Sequence, residues 1–523
     1  MTIASLSSGI MTTNNSCVNC EDAVRIGQKM QKEHDEETPV RSMKISNKCK
    51  NLTVLQKKVK MGEKKVYIEK TQLFNRLIIM AERDEGIENV FSFELTPVPT
   101  ALFTMDRMMR KPNKHEFGAM LKASATKVEI NGDKIHVIDG GWLLHQVKWT
   151  SGATIKTIVD TYVQYINGKF KNPTVVFDGY DGEPSTKDHE HRRRKVGKNI
   201  SPEFRVTSEL TILCDREVFL ANEKNKGALI SILSSVMARN NIDVHQAKDD
   251  GDTVIVKTAI DMVKSMDKPV VVVARDTDIL VLLCYHRPSN CTNLFMLSDF
   301  SGVYDISTFE ISNLDEFLFK YGWSGNDTVS KIHGHTKCSV YKLTFPQNII
   351  NTFTSLTSPK SEIQKAGTEA MLITYNCENT NLQKARYSKF QKQAATGRID
   401  PDRLPPTENS TTQHSLRVHH QLVTWKYLDS SMLNPIGRGW ELDSVNKLKP
   451  KMITGSIAPY NLLKGICCSC KDGEKQCETM MKCSCMKAGM LCVSACTYCS
   501  GHCTNASLAT DNEEFSDEEA TAY

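Results

Sequence analysis

The sequence predicts an α/β fold in which helices flank an open, mostly parallel sheet. Three short apolar runs, IHVID ending at Asp139, TVVFD ending at Asp178 and VVVVARD ending at Asp276, have the length of strands. They lack polar alternation, which is typical of parallel strands buried on both faces. Helix-like stretches separate them, as in successive βαβ units. Each run also ends at or near an aspartate, and this recurrence guides the functional interpretation.

The predicted sheet belongs to a domain that spans residues 91–345. Residues 1–90 are polar and rich in lysine, so we expect them to be partly disordered. In the lead-in that starts at Phe91, Pro97 and Pro99 disfavour a helix and predict an extended edge of the domain.

A helical region is predicted for residues 346–455. Its last clear helix is an amphipathic one over 414–428, preceded by the break at Leu404 to Thr407. The histidines of this helix are interpreted as packing or surface residues and not as part of a site. A cysteine-rich module over 456–505 and an acidic, disordered tail over 506–523 complete the chain.

Seven aspartates follow the predicted strands or begin the helices after them. They are Asp139, Asp178, Asp250, Asp252, Asp276, Asp278 and Asp327. Because the carboxyl ends of parallel strands line one crevice, we expect these side chains to converge. So many carboxylates repel one another, and either raised pKa values or divalent cations must relieve that repulsion. Oxygen ligands favour Mg²⁺ or Mn²⁺, and two such ions about 4 Å apart are suited to phosphodiester hydrolysis.

The order of these motifs resembles the flap endonuclease/XPG-type nucleases of the PIN-like superfamily. The similarity covers about 130–340 and rests on IHVID, VFDG at 176–179, the acidic pair at Asp250 and Asp252, RDTDIL at 275–280 and GND at 325–327. Asp249 leaves the register of the acidic pair open by one residue. The resemblance implies a PIN-like fold and a structure-selective nuclease in which the seven aspartates hold two Mg²⁺ or Mn²⁺ ions.

The same resemblance implies phosphate-binding residues shortly after the VFDG string. A basic helix of the family corresponds in position to 187–195, so Lys187, Arg192 and Arg193 are the expected phosphate ligands. Nucleic acid, DNA rather than RNA, is the expected partner.

Ten of the 18 cysteines fall between 467 and 503. With no signal peptide visible at the start of the chain, their density favours zinc over disulfides. The paired CxC units and the following CxxxCxxCxxxC resemble the CXC (tesmin/TSO1-like) domain. That resemblance implies about three zinc ions shared by nine thiolates, and it implies a contact with DNA or a protein. The nine are Cys468, Cys470, Cys477, Cys483, Cys485, Cys492, Cys496, Cys499 and Cys503.

The composition permits this function without requiring it. The net charge of +5 is mildly basic, and no apolar run approaches the ~20 residues that span a bilayer. A nuclear location is favoured over a cytoplasmic one. Two alternatives stay open: a non-catalytic nucleic-acid or chromatin binding protein that uses the PIN-like domain as a scaffold, and a protein derived from a mobile element.

Overall fold

The structure is a computed structural model, and it describes residues 28, 58–61, 64–67, 74, 77–78, 87–179, 184–195, 199–247, 250–298, 302–378, 381–396 and 399–459. The chain forms two compact units, each discontinuous in sequence. The first unit comprises 1–107, 379–407 and 455–523, and the second comprises 108–378 and 408–454.

The strands of the described residues, in chain order, are β1 (Lys58–Met61), β2 (Lys64–Tyr67), β3 (Lys127–Val128), β4 (Ile135–Asp139), β5 (Pro173–Phe177), β6 (Asp243–Gln246), β7 (Val270–Val273), β8 (Leu294–Leu297), β9 (Val303–Asp305), β10 (Trp440–Leu442) and β11 (Leu448–Pro450).

The helices, again in chain order, are α1 (Ile87–Val90), α2 (Lys114–Ser124), α3 (Gly140–Leu144), α4 (Ile155–Lys169), α5 (Asp188–Lys195), α6 (Arg216–Leu220), α7 (Glu223–Arg239), α8 (Gly251–Ser265), α9 (Thr277–His286), α10 (Leu314–Trp323), α11 (Lys337–Tyr341), α12 (Gln347–Thr354), α13 (Lys360–Thr374), α14 (Leu382–Ala395) and α15 (Glu408–Tyr427). Short 3-10 turns cover Ile306–Thr308, Pro401–Arg403 and Ser430–Met432.

A seven-stranded sheet forms the centre of the second unit, with the strand order β3-β9-β8-β7-β4-β5-β6. The pairs β8/β7, β7/β4, β4/β5 and β5/β6 are parallel, whereas β9 is antiparallel to both β8 and β3. The predicted α/β fold with a mostly parallel, helix-flanked sheet is therefore confirmed. The strand β4 lies between β5 and β7, so three aspartate-ended runs are neighbours.

The apolar runs are buried on both faces, as their lack of alternation predicts. All four valines of β7 are buried, and one hydrophobic cluster joins Ile138 and Val175 to side chains of α4 and α7. The helix α8 packs on β4 and β7. Burial of a valine or isoleucine side chain contributes about 1.5–3 kcal/mol, so this core holds the strand ends in fixed positions.

The second unit continues past the predicted boundary at residue 346. Aromatic rings join α10 to the later helices: the centroids of Phe319 and Phe353 are 5.1 Å apart, and those of Trp323 and His414 are 5.0 Å apart. The helices α12, α13 and α15 therefore extend the core of the α/β unit.

The expectation of an amphipathic helix near 414–428 is half right. The helix α15 exists, but its polar side chains are buried together with its apolar ones, including His414, His419 and Gln421. Neighbours on several sides account for this burial. The Arg417 Nη1 atom donates to the carbonyl of Gly439 at 3.1 Å, and His420 Nε2 donates to the carbonyl of Leu433 at 3.0 Å.

In the first unit, residues near α1 pack against α14. The ring centroids of Phe91 and Phe390 are 5.0 Å apart, and Arg386 donates to the carbonyls of Phe91 and Phe93 at 3.0 and 3.1 Å. The sequence predicts that the segment starting at residue 91 forms an edge of the sheet domain. The structure instead places this segment in the first unit, where it packs against α14. No helix among the described residues has the length and apolarity to cross a membrane.

Candidate metal centre

Four aspartates stand at the carboxyl ends of neighbouring parallel strands or at the helix starts that follow them. Asp139 ends β4, Asp178 follows β5, Asp276 caps α9 just after β7, and Asp250 caps α8 after β6. The strand order brings these ends to one edge of the sheet.

Three of these aspartates are helix N-caps. The carboxylate of Asp139 accepts a hydrogen bond from the Gly141 N–H at 2.8 Å. Asp250 and Asp276 accept in the same way from the N–H groups of Asp252 and Asp278, at 3.0 and 2.9 Å. Each cap uses one carboxylate oxygen and fixes the rotamer. Capping therefore orients the three carboxylates, and after Asp250 and Asp276 a second aspartate follows in the first helical turn.

A glycine contact joins Asp178 to the start of α8. Its Oδ1 atom accepts from the Gly251 N–H at 3.0 Å, and a Cβ atom on Gly251 would lie only 2.6 Å from that oxygen. A side chain at this position would displace the carboxylate. The close approach ties the end of β5 to the Asp250/Asp252 pair.

The carboxylates of Asp252, Asp276 and Asp278 form the tightest group. One oxygen from each lies within 4.8 Å of the others, and Asp278 is only 4% exposed. Burial and the neighbouring Asp250 raise the pKa of Asp252 well above its ordinary value. Burial and Asp178 raise the pKa of Asp139 to about 7. The group thus resists carrying its full negative charge unless cations are close.

Lys114, at the first position of α2, supplies one such cation. Its Nζ atom lies 2.7 Å from Asp278, 2.9 Å from Asp327 and 3.9 Å from Asp276. Burial alone lowers the pKa of Lys114, but the three carboxylates outweigh burial and hold it well above its ordinary value. Lys114 is therefore charged and offsets part of the negative charge of these three acids.

Lys187 supplies a second cation on the other side of the group. Its Nζ atom lies 2.5 Å from Asp250 and 3.7 Å from Asp252. Burial lowers its pKa, whereas Asp250, Asp252 and Asp178 raise it further, to well above the ordinary value. The structure thus brings all seven predicted aspartates together with one of the three predicted phosphate ligands.

Tyr321 contacts Asp278 directly, and Lys337 in turn contacts Tyr321. The hydroxyl of Tyr321 donates to Asp278 Oδ1, and burial with the nearby Asp278 charge raises the pKa of that hydroxyl well above its usual range. Lys337 lies 3.5 Å from the centroid of the same ring and donates to the Tyr321 carbonyl at 2.8 Å. Burial lowers the pKa of Lys337 to about 7. Because the pKa of Tyr321 is raised, its hydroxyl stays protonated and donates to Asp278.

Sequence reasoning missed Lys114, Tyr321 and Lys337. Lys114 lies in KPNKHEFG, upstream of the first aspartate, where the sequence resembles any capped surface helix. No periodicity or spacing connects it with an acid 164 residues later.

The other two predicted phosphate ligands are paired elsewhere in this structure. Arg192 Nη2 lies 2.6 Å from the carboxylate of Asp443, and Arg193 pairs with the buried Glu190 on its own helix. Their predicted contact with phosphate stays a prediction. Asp249 and the nine cysteines from Cys468 to Cys503 lie outside the described residues.

A cavity of about 1210 Å³ opens beside the aspartates. Asp139, Asp276 and Asp327 are among the residues that line it, together with five basic side chains. These basic residues are Lys111, Lys114, Lys122, Lys127 and Arg275. The rings of Trp142 and Tyr304 complete the wall. The cavity therefore combines positive charge, which attracts anions, with three of the aspartates.

Residues 1–94 match a family described as a domain of unknown function, DUF8702. No curated protein sequence matches this chain. Among solved structures, the chain is similar to the bacteriophage T5 D15 flap endonuclease in a pseudo-enzyme–product complex with DNA and metal ions. The identity is 11% and the TM-score 0.29, with 57% of this chain and 97% of that chain covered.

The chain is also similar to the catalytic core of Rad2 in complex with a DNA substrate. Here the identity is 14% and the TM-score 0.31, over 55% of this chain and 81% of that one. A third similar structure is the T5 5′-exonuclease with bound divalent zinc, at 11% identity and a TM-score of 0.28, over 55% of this chain and all of that chain.

Proposed function

We propose that this protein is a divalent-metal-dependent, structure-selective nuclease that hydrolyses phosphodiester bonds. The observation that carries the proposal is the convergence of seven aspartates, drawn from five separate segments, at the carboxyl edge of a parallel sheet. Seven carboxylates so close together, of which Asp278 is buried and the others are partly buried, repel one another unless cations share the site, and here the acids adjoin a cavity with basic side chains.

The donor set fits Mg²⁺ or Mn²⁺. The predicted ligands are all carboxylates, and hard oxygen donors are what these ions prefer. In the two-ion form that the family resemblance implies, the seven aspartates would hold both ions. A divalent ion bound there lowers the pKa of the attacking water and offsets charge on the scissile phosphate.

The chain's own residues have distinct tasks in this proposal. The three capping aspartates keep their carboxylates aimed at the crevice through backbone N–H groups. Tyr321 orients Asp278 by donating to one of its oxygens. Lys187 adds positive charge where the scissile phosphate would lie, and Arg192 and Arg193 are proposed to contact the phosphate backbone farther along.

The cavity is the proposed channel for the nucleic acid. Lysines and Arg275 on its wall would neutralise backbone phosphates, and the partly exposed ring of Trp142 offers a stacking surface for a base. The family resemblance favours DNA over RNA as the substrate.

We propose a tethering role for the cysteine-rich segment. Its nine thiolates would hold about three zinc ions and attach the nuclease to DNA or to a protein partner. A nuclear location would bring this tether to its target.

The test incubates the purified full-length protein with labelled single-stranded, flapped and duplex DNA and RNA, in Mg²⁺, Mn²⁺ or EDTA. The wild type should cut at least one substrate only when a divalent ion is present. Asp276→Ala should reduce the rate by about 1,000-fold, because it removes both a carboxylate and the cap of α9. Asp261→Ala, an exposed aspartate of α8, is the matched control.

Cleavage by Asp276→Ala at the wild-type rate would contradict the proposed site. Tight binding without cutting in any metal would instead favour the non-catalytic scaffold. Thermal unfolding of both variants verifies that a lost rate reflects lost chemistry.

A further inference from the structure

The loop that follows α10, residues 324–330, is buried except at one side chain. Every residue from 321 to 330 is buried apart from Asp327, whose carboxylate lies 2.9 Å from the Nζ atom of Lys114. Most loops run over the protein surface, where water satisfies their backbone polar groups. This one, called the Asp327 loop below, must instead find its hydrogen-bond partners inside the protein.

The backbone on both sides of Asp327 is held by contacts within the loop. The N–H group of Asn326 donates to the Val329 carbonyl at 2.9 Å, and the Asn326 Oδ1 atom accepts from the Thr328 N–H at 2.8 Å. Gly325 has a φ of +101°, and a Cβ atom there would lie 2.7 Å from the nitrogen of the following strand of loop at Lys331. The turn is therefore tight, and it presents one carboxylate to the acidic group.

The helix α15 contacts the Asp327 loop through a buried amide. The hydroxyl of Thr328 lies 2.8 Å from Asn326 Oδ1 and donates to Oε1 of Gln421, which is 5% exposed. Beside Gln421, the side chain of Leu422 packs against α10, where a Cβ atom on Gly322 would lie 2.7 Å from Leu422 Cδ2. The loop and the end of α10 thus rest on the same part of α15.

The same face of α15 also lies behind a second aspartate. The ring centroids of Trp425 and Tyr321 are 5.8 Å apart, and the Tyr321 hydroxyl donates to Asp278. Residues four positions apart lie on one face of a helix, so Gln421 and Trp425 form a single surface. That surface supports residues that adjoin two of the seven acids.

We propose that Gln421 is a positioning residue of the acidic group: through Thr328 it fixes the loop that carries Asp327, and it thereby sets the affinity of the group for a divalent ion. The inference rests on the proposed nuclease site. It extends that site to α15, which lies outside the segment 130–340 that carries the family resemblance.

The physical reason is the cost of burying polar groups. A buried amide is destabilising unless it is hydrogen-bonded, and the Thr328 hydroxyl is a partner of this one. Removal of either group leaves the other buried without that bond, so the loop would shift to satisfy it. The Asp327 carboxylate would move with the loop, away from the place where it completes the acidic group.

The test measures Mn²⁺ affinity by calorimetric titration of the full-length, zinc-loaded protein. Thiolates prefer zinc to Mn²⁺, so the cysteine-rich segment does not compete. Thr328→Val removes the hydroxyl at nearly constant shape, and Gln421→Met removes the amide. Each should weaken Mn²⁺ binding by about three- to tenfold, somewhat less than the loss of a group that contacts a metal ligand directly. Thr328→Ser keeps the hydroxyl and should bind Mn²⁺ like the wild type.

A double-mutant cycle with Asp327→Asn separates positioning from a general loss of packing. Asp327→Asn should itself weaken Mn²⁺ binding. Because Thr328 acts through Asp327, adding Thr328→Val to Asp327→Asn should cause no further loss. Thr424→Val is the matched control: it removes another buried hydroxyl of α15, which donates to the His420 carbonyl at 3.0 Å, and it should leave Mn²⁺ affinity unchanged.

Wild-type Mn²⁺ affinity in folded Thr328→Val or folded Gln421→Met would overturn the inference. So would unchanged affinity in Asp327→Asn, or a full further loss in the double variant. Thermal unfolding verifies that each variant is folded. If Gln421→Met does not fold, Gln421→Asn takes its place, since it keeps an amide that is one methylene shorter and loses the contact with Thr328.

The cleavage assay and the Mn²⁺ titration distinguish this inference from the proposed function. The expected cycle in a protein that cuts no substrate would support the inference and reject the nuclease. Metal-dependent cleavage with additive losses in the cycle would reject the inference alone. A wild type that binds no Mn²⁺ would reject both.

Discussion

Single aspartates in this protein cap helices and still belong to the acidic group. An aspartate after a strand is usually a turn or helix cap, and Asp139, Asp250 and Asp276 are indeed caps. The cap uses one oxygen of each carboxylate and leaves the other available to the crevice. The capping role is therefore compatible with the proposed metal-binding role, because the backbone contact orients the carboxylate.

At the residue scale, Tyr321→Phe should weaken Mn²⁺ binding about tenfold, since residues that orient a metal ligand typically contribute that much. The substitution removes only the hydroxyl that donates to Asp278 and keeps the ring that Lys337 contacts. Calorimetric titration with Mn²⁺ measures the change.

The control for Tyr321 is Tyr285→Phe. It removes a hydroxyl that donates to Asp315 at 2.7 Å, outside the acidic group. Equal Mn²⁺ affinity in Tyr321→Phe and Tyr285→Phe would show that the hydroxyl of Tyr321 does not orient a metal ligand.

At the scale of elements, the first turns of two helices position four of the seven aspartates. The helices α8 and α9 each begin at an aspartate cap and carry a second aspartate in the first turn. The first helical turn also favours negative charge through the helix dipole. The D-x-D spacing is therefore what the start of a helix favours, independently of the metal binding proposed for it.

The helix α15 makes stability depend on pH. Burial lowers the pKa of His414 to about 3 and those of His419 and His420 to about 4. His419 Nε2 donates to the Ser355 carbonyl at 2.9 Å, and its Nδ1 lies 3.3 Å from the Arg438 guanidinium, which requires a neutral ring that accepts there.

The pKa of each ring is lower in the folded state than its unfolded value of about 6.5, so protonation favours the unfolded chain. The contribution of the neutral ring to the free energy of unfolding is therefore full above pH 6.5 and is lost as the pH falls toward 4. For His419 the loss between pH 7 and pH 5 is about 2 kcal/mol. His419→Gln keeps an N–H for Ser355 but does not titrate, so its unfolding free energy should fall by about 2 kcal/mol less over this interval.

Urea unfolding of wild type and His419→Gln at pH 7 and pH 5 measures this difference. The quantity compared is the change in unfolding free energy between pH 7 and pH 5 within each protein, so any loss of stability that the substitution causes at pH 7 cancels. Parallel pH profiles would mean that His419 is not held neutral. His420→Gln provides an independent repeat, because its ring donates to a different carbonyl, that of Leu433.

At the scale of the whole molecule, the chain passes between its two units repeatedly. The segment 379–407 belongs to the first unit, although it lies in sequence between two parts of the second. Within the first unit, Arg386 on this segment donates to the Phe91 and Phe93 carbonyls. Each unit therefore depends on distant parts of the chain.

The zinc proposal is also tested on the whole molecule. Replacing Cys483 and Cys485 by serine in the full-length protein should lower the zinc content from about three ions per chain, because serine does not replace a thiolate ligand. Metal-dependent cutting of a short oligonucleotide should persist, while affinity for long DNA falls. Unchanged zinc content by atomic absorption would reject these two ligands, and replacement of the partly buried Cys214 by serine serves as the control.

The sequence by itself predicted β4, β5 and β7, their parallel arrangement and the proximity of the aspartates that follow them, because these features depend on local patterns. An apolar run buried on two faces and an acid at its end are visible without any neighbour, and β4, β5 and β7 lie where these patterns predict. The ends of parallel strands meet at one edge by construction.

Only the tertiary structure decided which cations face those acids. Lys114 reaches Asp278 across 164 residues, and Tyr321 reaches it across 43. Likewise, only packing decided that α15 buries its polar side as well as its apolar side, since neighbours such as Gly439 accept its polar groups. Such contacts depend on how helices pack onto one another, and no periodicity within a single segment encodes them.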